Sequence, residues 1–302
     1  MRNIEQEIIA PELINKIEKK IGGKKAKIFL QIPEGLKYKI ISIIDKLSEC
    51  GYEIVLSGEP CYGACDIRDK EAEMLGCDLI LHIGHKKFYK KFKTAIPVIY
   101  FPFELKVKYN KEELKKIPYK RIGLISTVNH ASTLNNIYDD LRRIGKEPLI
   151  GGEILGCWTE NAKKIEKKAD CILFVGSGKF HMLGIETEKP LYYFDLEKNE
   201  IRNENIKRKK IFQWRLEKLR NASSVGVLIS TKPGQFYSNY KEVENKLKRM
   251  GKRVYILVMD RIADEKLLGM DIDCFINTAC PRIVEDRFEK PVINVNDFVN
   301  YF

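Results

Sequence analysis

Short apolar, β-branched runs recur along the chain in one order three times, about 95 to 105 residues apart. The first strand of each copy reads KIFLQ (27–31), RIGLIS (121–126) and SVGVLIS (224–230), and each follows a charged, helix-patterned stretch. A second helix then closes in a shared phrase: KLSECGYEIVLSG, DLRRIGKEPLIGG and KLKRMGKRVYILV. In that phrase Gly51, Gly145 and Gly251 stand where a helix needs a C-terminal cap, and a second strand follows directly. The third strand reads CDLILHIG (77–84), DCILFVGS (170–177) and DCFINTA (273–279). The fourth reads PVIYFPFE, PLYYFDLE and PVINVNDF, with Pro97, Pro190 and Pro291 at strand starts, where a missing N–H is tolerated.

Strands alternating with helices, and apolar almost throughout, predict parallel sheets covered on both faces. The expected fold class is α/β: three pseudo-repeated small domains, each a mainly parallel four-stranded sheet flanked by helices, around a pseudo-threefold centre. Domain boundaries are expected at 1–105, 106–205 and 206–302, because KVKYNKEELKKIPYK and KNEIRNENIKRKK are polar and charged, as linkers would be.

Composition changes this picture little. The chain is 302 residues long, 44% hydrophobic and 32% charged, enough to bury a substantial core. No apolar run approaches the roughly 20 residues of a membrane span, and the opening MRNIEQEIIAPELINKIEKK reads as a charged amphipathic helix without the apolar core of a signal peptide. The expected compartment is the cytoplasm, with no membrane association. The net charge of +12 would suit an RNA, ribosomal or acidic protein partner, but the lysines are spread through every helix, as in KKAK, KKFYKKFK and NIKRKK. Such scatter is a solvated surface; it names no partner, and no direct nucleic-acid contact is expected.

Chemistry enters through eight cysteines: Cys50, Cys61, Cys65, Cys77, Cys157, Cys171, Cys274 and Cys280. In a cytosolic chain of this size they read as metal ligands, catalytic groups or small core residues rather than disulfides. Ligands of open parallel sheets gather at the carboxyl edges of strands. Cys65 (SGEPCYGACD) and Cys157 (GGEILGCWTE) follow the second strands of copies one and two, and Cys280 (NTACPRIVED) follows the third strand of copy three. If the copies pack with those edges inward, the three thiols converge. Cys171 and Cys274 take the second position of a D-C-(I/F) strand start and Cys77 is read as the matching place in copy one, all three as buried strand residues. Cys50 ends a helix and reads as structural. Cys61 forms C-x-x-x-C with Cys65 and stays open as a ligand, although a C-x-x-x-C-x-x-C pattern would need a cysteine where Arg68 stands. Four thiolates saturate a zinc site or a cubane cluster, whereas three leave one metal position open for a substrate.

The phrases QIPEGL (31–36), GEPCYGACD (58–66), HIGH (82–85), LGCW (155–158), KPGQ (232–235) and TACPRIVED (278–286) together resemble the archaeal diphthamide-biosynthesis family, in order and spacing across essentially the whole chain. The resemblance implies a 2-(3-amino-3-carboxypropyl)histidine synthase: a homodimer of three-domain subunits, each domain giving one cysteine to a [4Fe–4S] cluster. Cys65, Cys157 and Cys280 match those positions, and relatives often lack a thiol at the place of Cys61. It further implies that S-adenosylmethionine is cleaved between sulfur and the γ-carbon with release of methylthioadenosine. The 3-amino-3-carboxypropyl radical then adds to C2 of a histidine of translation elongation factor 2, and an external electron donor supplies the electron.

Around the cluster ligands, the turn after the first strand of copy three offers Gln235 to the methionine amino acid or ribose, with Gly234 allowing close backbone approach. Glu34 and Gly35 hold the equivalent place in copy one, and Gly63 lies beside Cys65. Loop shaping is an equal account of these glycines. Arg282 and Asp286 either bind a carboxylate or pair with each other. HIGH ends a third strand instead of opening a helix, so it is not an adenylate signature; His85 either lines the site or is structural. GSGKFH (176–181) lacks phosphate-loop spacing, since Leu173 stands where its first glycine belongs. His130 and His181 read as loop residues. Two other classes compete: a quinolinate synthase-like enzyme, also with a cluster on three cysteines but no need of S-adenosylmethionine, and a non-catalytic translation-associated or electron-transfer subunit, which would be expected to lack part of the cysteine set.

Overall fold

In the computed structural model the described residues are 11–22, 25–89, 92–102, 105, 107–178, 181–185 and 187–302. The first half of the opening helix, and Lys179 and Phe180 of the GSGKFH phrase, lie outside them. The chain divides into two compact units: residues 1–104 with 232–234, and residues 105–231 with 235–302.

The first unit runs α1 (Pro11–Ile21), β1 (Lys27–Gln31), α2 (Ile40–Glu49), β2 (Glu53–Leu56), α3 (Asp69–Met74), β3 (Leu79–Ile83) and β4 (Val98–Phe101). Its sheet is fully parallel in the order β2-β1-β3-β4. Alternation of side chains across the sheet explains why β1 and β3 are apolar at every second position on both faces. Ile28, Leu30, Leu79, Leu81 and Ile83 pack beneath α1 and α2, through Leu13, Ile17, Ile43 and Leu47. Phe29 and Ile80 face the other way, onto Ile67, Ala72 and Cys77.

The second unit holds two sheets. Its first part runs β5 (Arg121–Ser126), α4 (Ala131–Arg143), β6 (Glu147–Glu153), α5 (Glu160–Glu166), β7 (Cys171–Gly176), β8 (Leu191–Asp195) and β9 (Glu200–Asn203), with sheet order β6-β5-β7-β8-β9. The rest runs α6 (Asn205–Asn221), β10 (Ser224–Ser230), α7 (Tyr240–Arg249), β11 (Arg253–Met259), β12 (Cys274–Asn277), β13 (Val292–Asn294) and α8 (Val295–Tyr301), with order β11-β10-β12-β13. The predicted α/β class and the three mainly parallel sheets are therefore present. The middle sheet differs by one strand: β9 pairs antiparallel with β8 inside the stretch read as a linker, with Ile201 turned into the core. A single inward apolar residue among charges gave no strand period to detect.

Equivalent hydrogen bonds join the three sheets' strand starts. Asp78, Asp170 and Asp273 each accept the first N–H of the neighbouring first strand, from Lys27 (2.9 Å), Arg121 (3.0 Å) and Ser224 (2.8 Å). The carbonyls of Pro97, Pro190 and Pro291 each accept an N–H of the third strand, from Ile80, Ile172 and Phe275, all at 2.9 Å. These prolines thus lose a donor but contribute their acceptor. The aspartates correct one alignment. Strand pairing places Leu79, not Cys77, with Cys171 and Cys274, opposite Ile28, Ile122 and Val225 respectively. Cys77 precedes its aspartate instead of following it, and is buried on the opposite sheet face.

Candidate functional site

Cys65 lies in the first unit, in the loop between β2 and α3, and is partly exposed. That loop has little regular structure, so side chains hold it. Gln31, the buried last residue of β1, spans it: its Nε2 donates to the Asp66 carbonyl at 3.1 Å and its Oε1 accepts from the Arg68 N–H at 3.2 Å. The Lys232–Gly234 segment of the same unit also holds it. Lys232 Nζ donates to Asp66 Oδ2 at 2.5 Å, both side chains almost fully buried at 6% and 2% exposure. The Gly234 N–H donates to the Cys65 carbonyl at 3.0 Å. A side chain at position 234 is excluded, because its Cβ would stand 2.4 Å from Cys65 Cα. A Cβ at Gly63 would be 3.6 Å from Cys65 Sγ, an ordinary contact.

Cys157 and Cys280, both partly exposed, lie in the second unit and interact electrostatically. Leu155 and Trp158 exchange both backbone hydrogen bonds, at 2.9 and 3.1 Å, leaving Gly156 and Cys157 at the tip of a two-residue turn just past β6. The Gly156 N–H donates to His181 Nδ1 at 3.0 Å, and Gly184 packs so closely that any Cβ there would strike the Gly156 carbonyl oxygen. Cys280 lies three residues past the end of β12, immediately ahead of a short 3-10 turn, Pro281–Glu285. Asn277 donates to the Cys280 carbonyl at 2.9 Å and to Asn294 Oδ1 at 2.8 Å, and Asn294 donates onward to the Pro281 carbonyl at 2.9 Å. Burial pushes the Cys280 thiol up to about 11, and the neighbouring Cys157 adds to this, while the Arg282 N–H at its sulfur works the other way. Soft thiol donors on loops partly open to solvent are the donor type that an iron–sulfur group needs.

The remaining candidates are placed as follows. Glu34 opens a 3-10 turn after β1 (Glu34–Lys39) and pairs with Lys37 at 2.5 Å, largely exposed. Gly35 beside it is open to solvent, with nothing within 4 Å of a Cβ. Gln235 is half-buried in the second unit. Arg282 and Asp286 pair with each other at 3.1 Å. Cys171 and Cys274 are fully buried and Cys77 nearly so, whereas Cys50 is exposed. His130 is not a loose loop residue: it is buried, with Nε2 3.0 Å from Ser177 Oγ. Gln31, Lys232, Asn277 and Asn294 were not singled out by the sequence; Gln31 and Lys232 act on Asp66 from 35 and 166 residues away.

The first unit holds a further cluster, whose Cys61 interacts electrostatically with Cys65. Cys61 Sγ, His82 Nε2 and His85 Nδ1 all lie within 4.8 Å of one another. The two imidazoles are 3.0 Å apart, and the Cys61 sulfur is 3.9 Å from His82 Nε2. Burial holds both histidines neutral, His82 well below its ordinary value, with His85 adding to the effect, and His85 down to about 4.

The "Putative diphthamide synthesis protein" family model matches residues 32–300. The 2-(3-amino-3-carboxypropyl)histidine synthase of Pyrococcus horikoshii is 32% identical, over 95% of this chain and 88% of its own length. The synthase of the same name from Methanocaldococcus jannaschii is 30% identical, over 98% of this chain and 88% of its own. Among solved structures, Pyrococcus horikoshii Dph2 with a 4Fe-4S cluster superimposes with a TM-score of 0.82 at 30% identity, covering 96% of this chain and 89% of that one. A match across nearly the whole length, in sequence and in structure, places this chain in the diphthamide synthesis family.

Proposed function

We propose that this chain is a 2-(3-amino-3-carboxypropyl)histidine synthase, a transferase catalysing the first step of diphthamide synthesis. The observation that carries this is the end-to-end match to a Dph2 structure that holds a 4Fe-4S cluster. Cys65, Cys157 and Cys280 are its cluster ligands, one from each of three repeat domains, 1–105, 106–205 and 206–302, set about a pseudo-threefold centre. When bound, the cluster supplies the single electron that S-adenosylmethionine cleavage requires.

The chain's own residues hold and tune that centre. Gly234 and Gln31 fix the backbone from the Cys65 carbonyl to Arg68, and Asn277 fixes the Cys280 carbonyl. The Arg282 N–H at the Cys280 sulfur favours the thiolate and therefore metal binding. Gly63, Gly234 and Gln235, with Glu34 and Gly35, are assigned to S-adenosylmethionine. The protein substrate is translation elongation factor 2, the electron comes from an external donor, and the enzyme works as a cytoplasmic homodimer. Among the described residues no helix is long and apolar enough to cross a membrane.

The test is anaerobic reconstitution with iron and sulfide, followed by reduction in the presence of S-adenosylmethionine and elongation factor 2. Methylthioadenosine should appear together with a modified histidine. A reduced, intact cluster that yields no methylthioadenosine would overturn the assignment.

A further inference from the structure

The geometry points to a second metal site in this chain: Cys61, His82 and His85 form a three-ligand pocket for a divalent cation of borderline softness, such as zinc. Nothing in the proposed transferase chemistry uses these residues, and the site stands whether or not Cys65, Cys157 and Cys280 carry a cluster.

The sequence brings them together through two features. His82 is the fourth residue of β3, and Gly84, at φ +89°, turns the chain after the strand so that His85 comes back beside it. Cys61 arrives from the loop after β2. Three different donors then face one point, with separations of 3.0 Å, 3.9 Å and at most 4.8 Å. Zinc bonds of about 2.0–2.1 Å to nitrogen and about 2.3 Å to sulfur, at a tetrahedral angle, set donors about 3.4–3.6 Å apart. Side-chain adjustments on the order of an ångström therefore close the shell.

The metal-free arrangement is a poor use of these groups. His82 Nε2 faces both partners yet can share one proton with only one of them, and its contact with the Cys61 sulfur at 3.9 Å is at the long end for a sulfur hydrogen bond. A cation satisfies all three lone pairs together. Two of the ligands, Cys61 and His82, are buried at 4% and 0% exposure, whereas His85 is partly exposed. The fourth position thus opens on the His85 side, where water or a substrate nitrogen or oxygen would complete the tetrahedron. Coordination through Nε2 places the His82 proton on Nδ1, which is buried without a hydrogen-bond partner. With no carboxylate or carbonyl behind that imidazole, the site binds more weakly than a closed structural zinc centre.

The experiment uses the full chain carrying Cys65→Ser, Cys157→Ser and Cys280→Ser, titrated anaerobically with cobalt(II) as a spectroscopic stand-in for zinc. One cobalt per chain is expected, with a thiolate-to-cobalt band in the near ultraviolet and intense tetrahedral ligand-field bands in the visible. Adding Cys61→Val should abolish the thiolate band and weaken binding at least about 100-fold, at or beyond the top of the range for losing an outer-shell partner. His85→Gln should weaken binding likewise. A second measurement avoids dependence on the folding of the triple variant. The unsubstituted chain with its cluster assembled should retain one zinc beyond its iron after gel filtration, and the Cys61→Val chain should retain none. No uptake, or uptake unchanged by Cys61→Val, overturns the site.

Discussion

Two glycines that look alike in sequence differ sharply in what surrounds them. At Gly234 a methyl group would meet Cys65 Cα at 2.4 Å and the Cys65 carbonyl oxygen at 2.7 Å, so the Cys65 loop would have to move. Gly234→Ala should cost about 1–3 kcal/mol, the usual range for overpacking, and lower the iron retained after reconstitution. Gly35→Ala meets nothing within 4 Å and should stay within about 0.5 kcal/mol of the parent. Thermal melting with iron analysis separates the two, and an iron-replete, unshifted Gly234→Ala would refute the close approach. Lys232 supports the same loop by charge. Lys232→Met removes the cation from the buried Asp66 carboxylate, and breaking a buried ion pair in this way typically costs about 3–5 kcal/mol. Adding Asp66→Asn should recover much of that loss, because the neutral amide no longer needs a cation. A double variant as unstable as the single one by urea denaturation would show that packing, not charge, dominates there.

At the scale of elements, helix α4 is joined to the chain before β5 through Asp140. Its carboxylate accepts from Tyr109 OH at 2.7 Å, Lys111 Nζ at 3.0 Å and Arg143 Nη1 at 2.7 Å. Burial pulls its pKa up, but the bonds from Tyr109, Lys111 and Arg143 outweigh that and hold it below the usual carboxylate value. A depressed folded pKa gives stability that is complete above the unfolded value of about 3.9 and is lost as pH falls through the folded one. Asp140→Asn should therefore be less stable at neutral pH by about 1–3 kcal/mol, and lose less on acidification than the parent. Parallel acid titration curves followed by circular dichroism would contradict it. The strands themselves were legible because apolar periodicity, glycine caps and strand-opening prolines are local signals, and all three copies repeat them. Cys65, Cys157 and Cys280 could be placed at strand ends for the same reason. Their supports could not: Gln31 reaches Asp66 from 35 residues away and Lys232 from 166, and no period or motif encodes contacts made by folding. Strand β9 is not legible because one inward residue makes no pattern, and the landmark that aligns the third strands is the aspartate at Asp78, Asp170 and Asp273, not the thiol of Cys77.

At the scale of the whole molecule, the proposed ligands come from three separate sheets, so cluster assembly and global stability are thermodynamically linked. A ligand that binds only the folded chain stabilises it by an amount set by its affinity, about 4 kcal/mol at a thousandfold excess over the dissociation constant. In a chain of this size each kcal/mol moves the melting temperature by about 2–4 °C or somewhat less. Anaerobic reconstitution should therefore raise the melting temperature by about 5–10 °C. If Cys65, Cys157 and Cys280 act as one set, replacing any single one with serine removes nearly the whole increment, not a third of it, because a cluster left with two thiolates is held too weakly to survive. The three single variants, melted with and without iron and sulfide, give the test. Equal loss in all three supports one shared cluster, whereas an increment that persists in any one of them removes that residue from the ligand set and breaks the correspondence between the sequence repeat and the metal site.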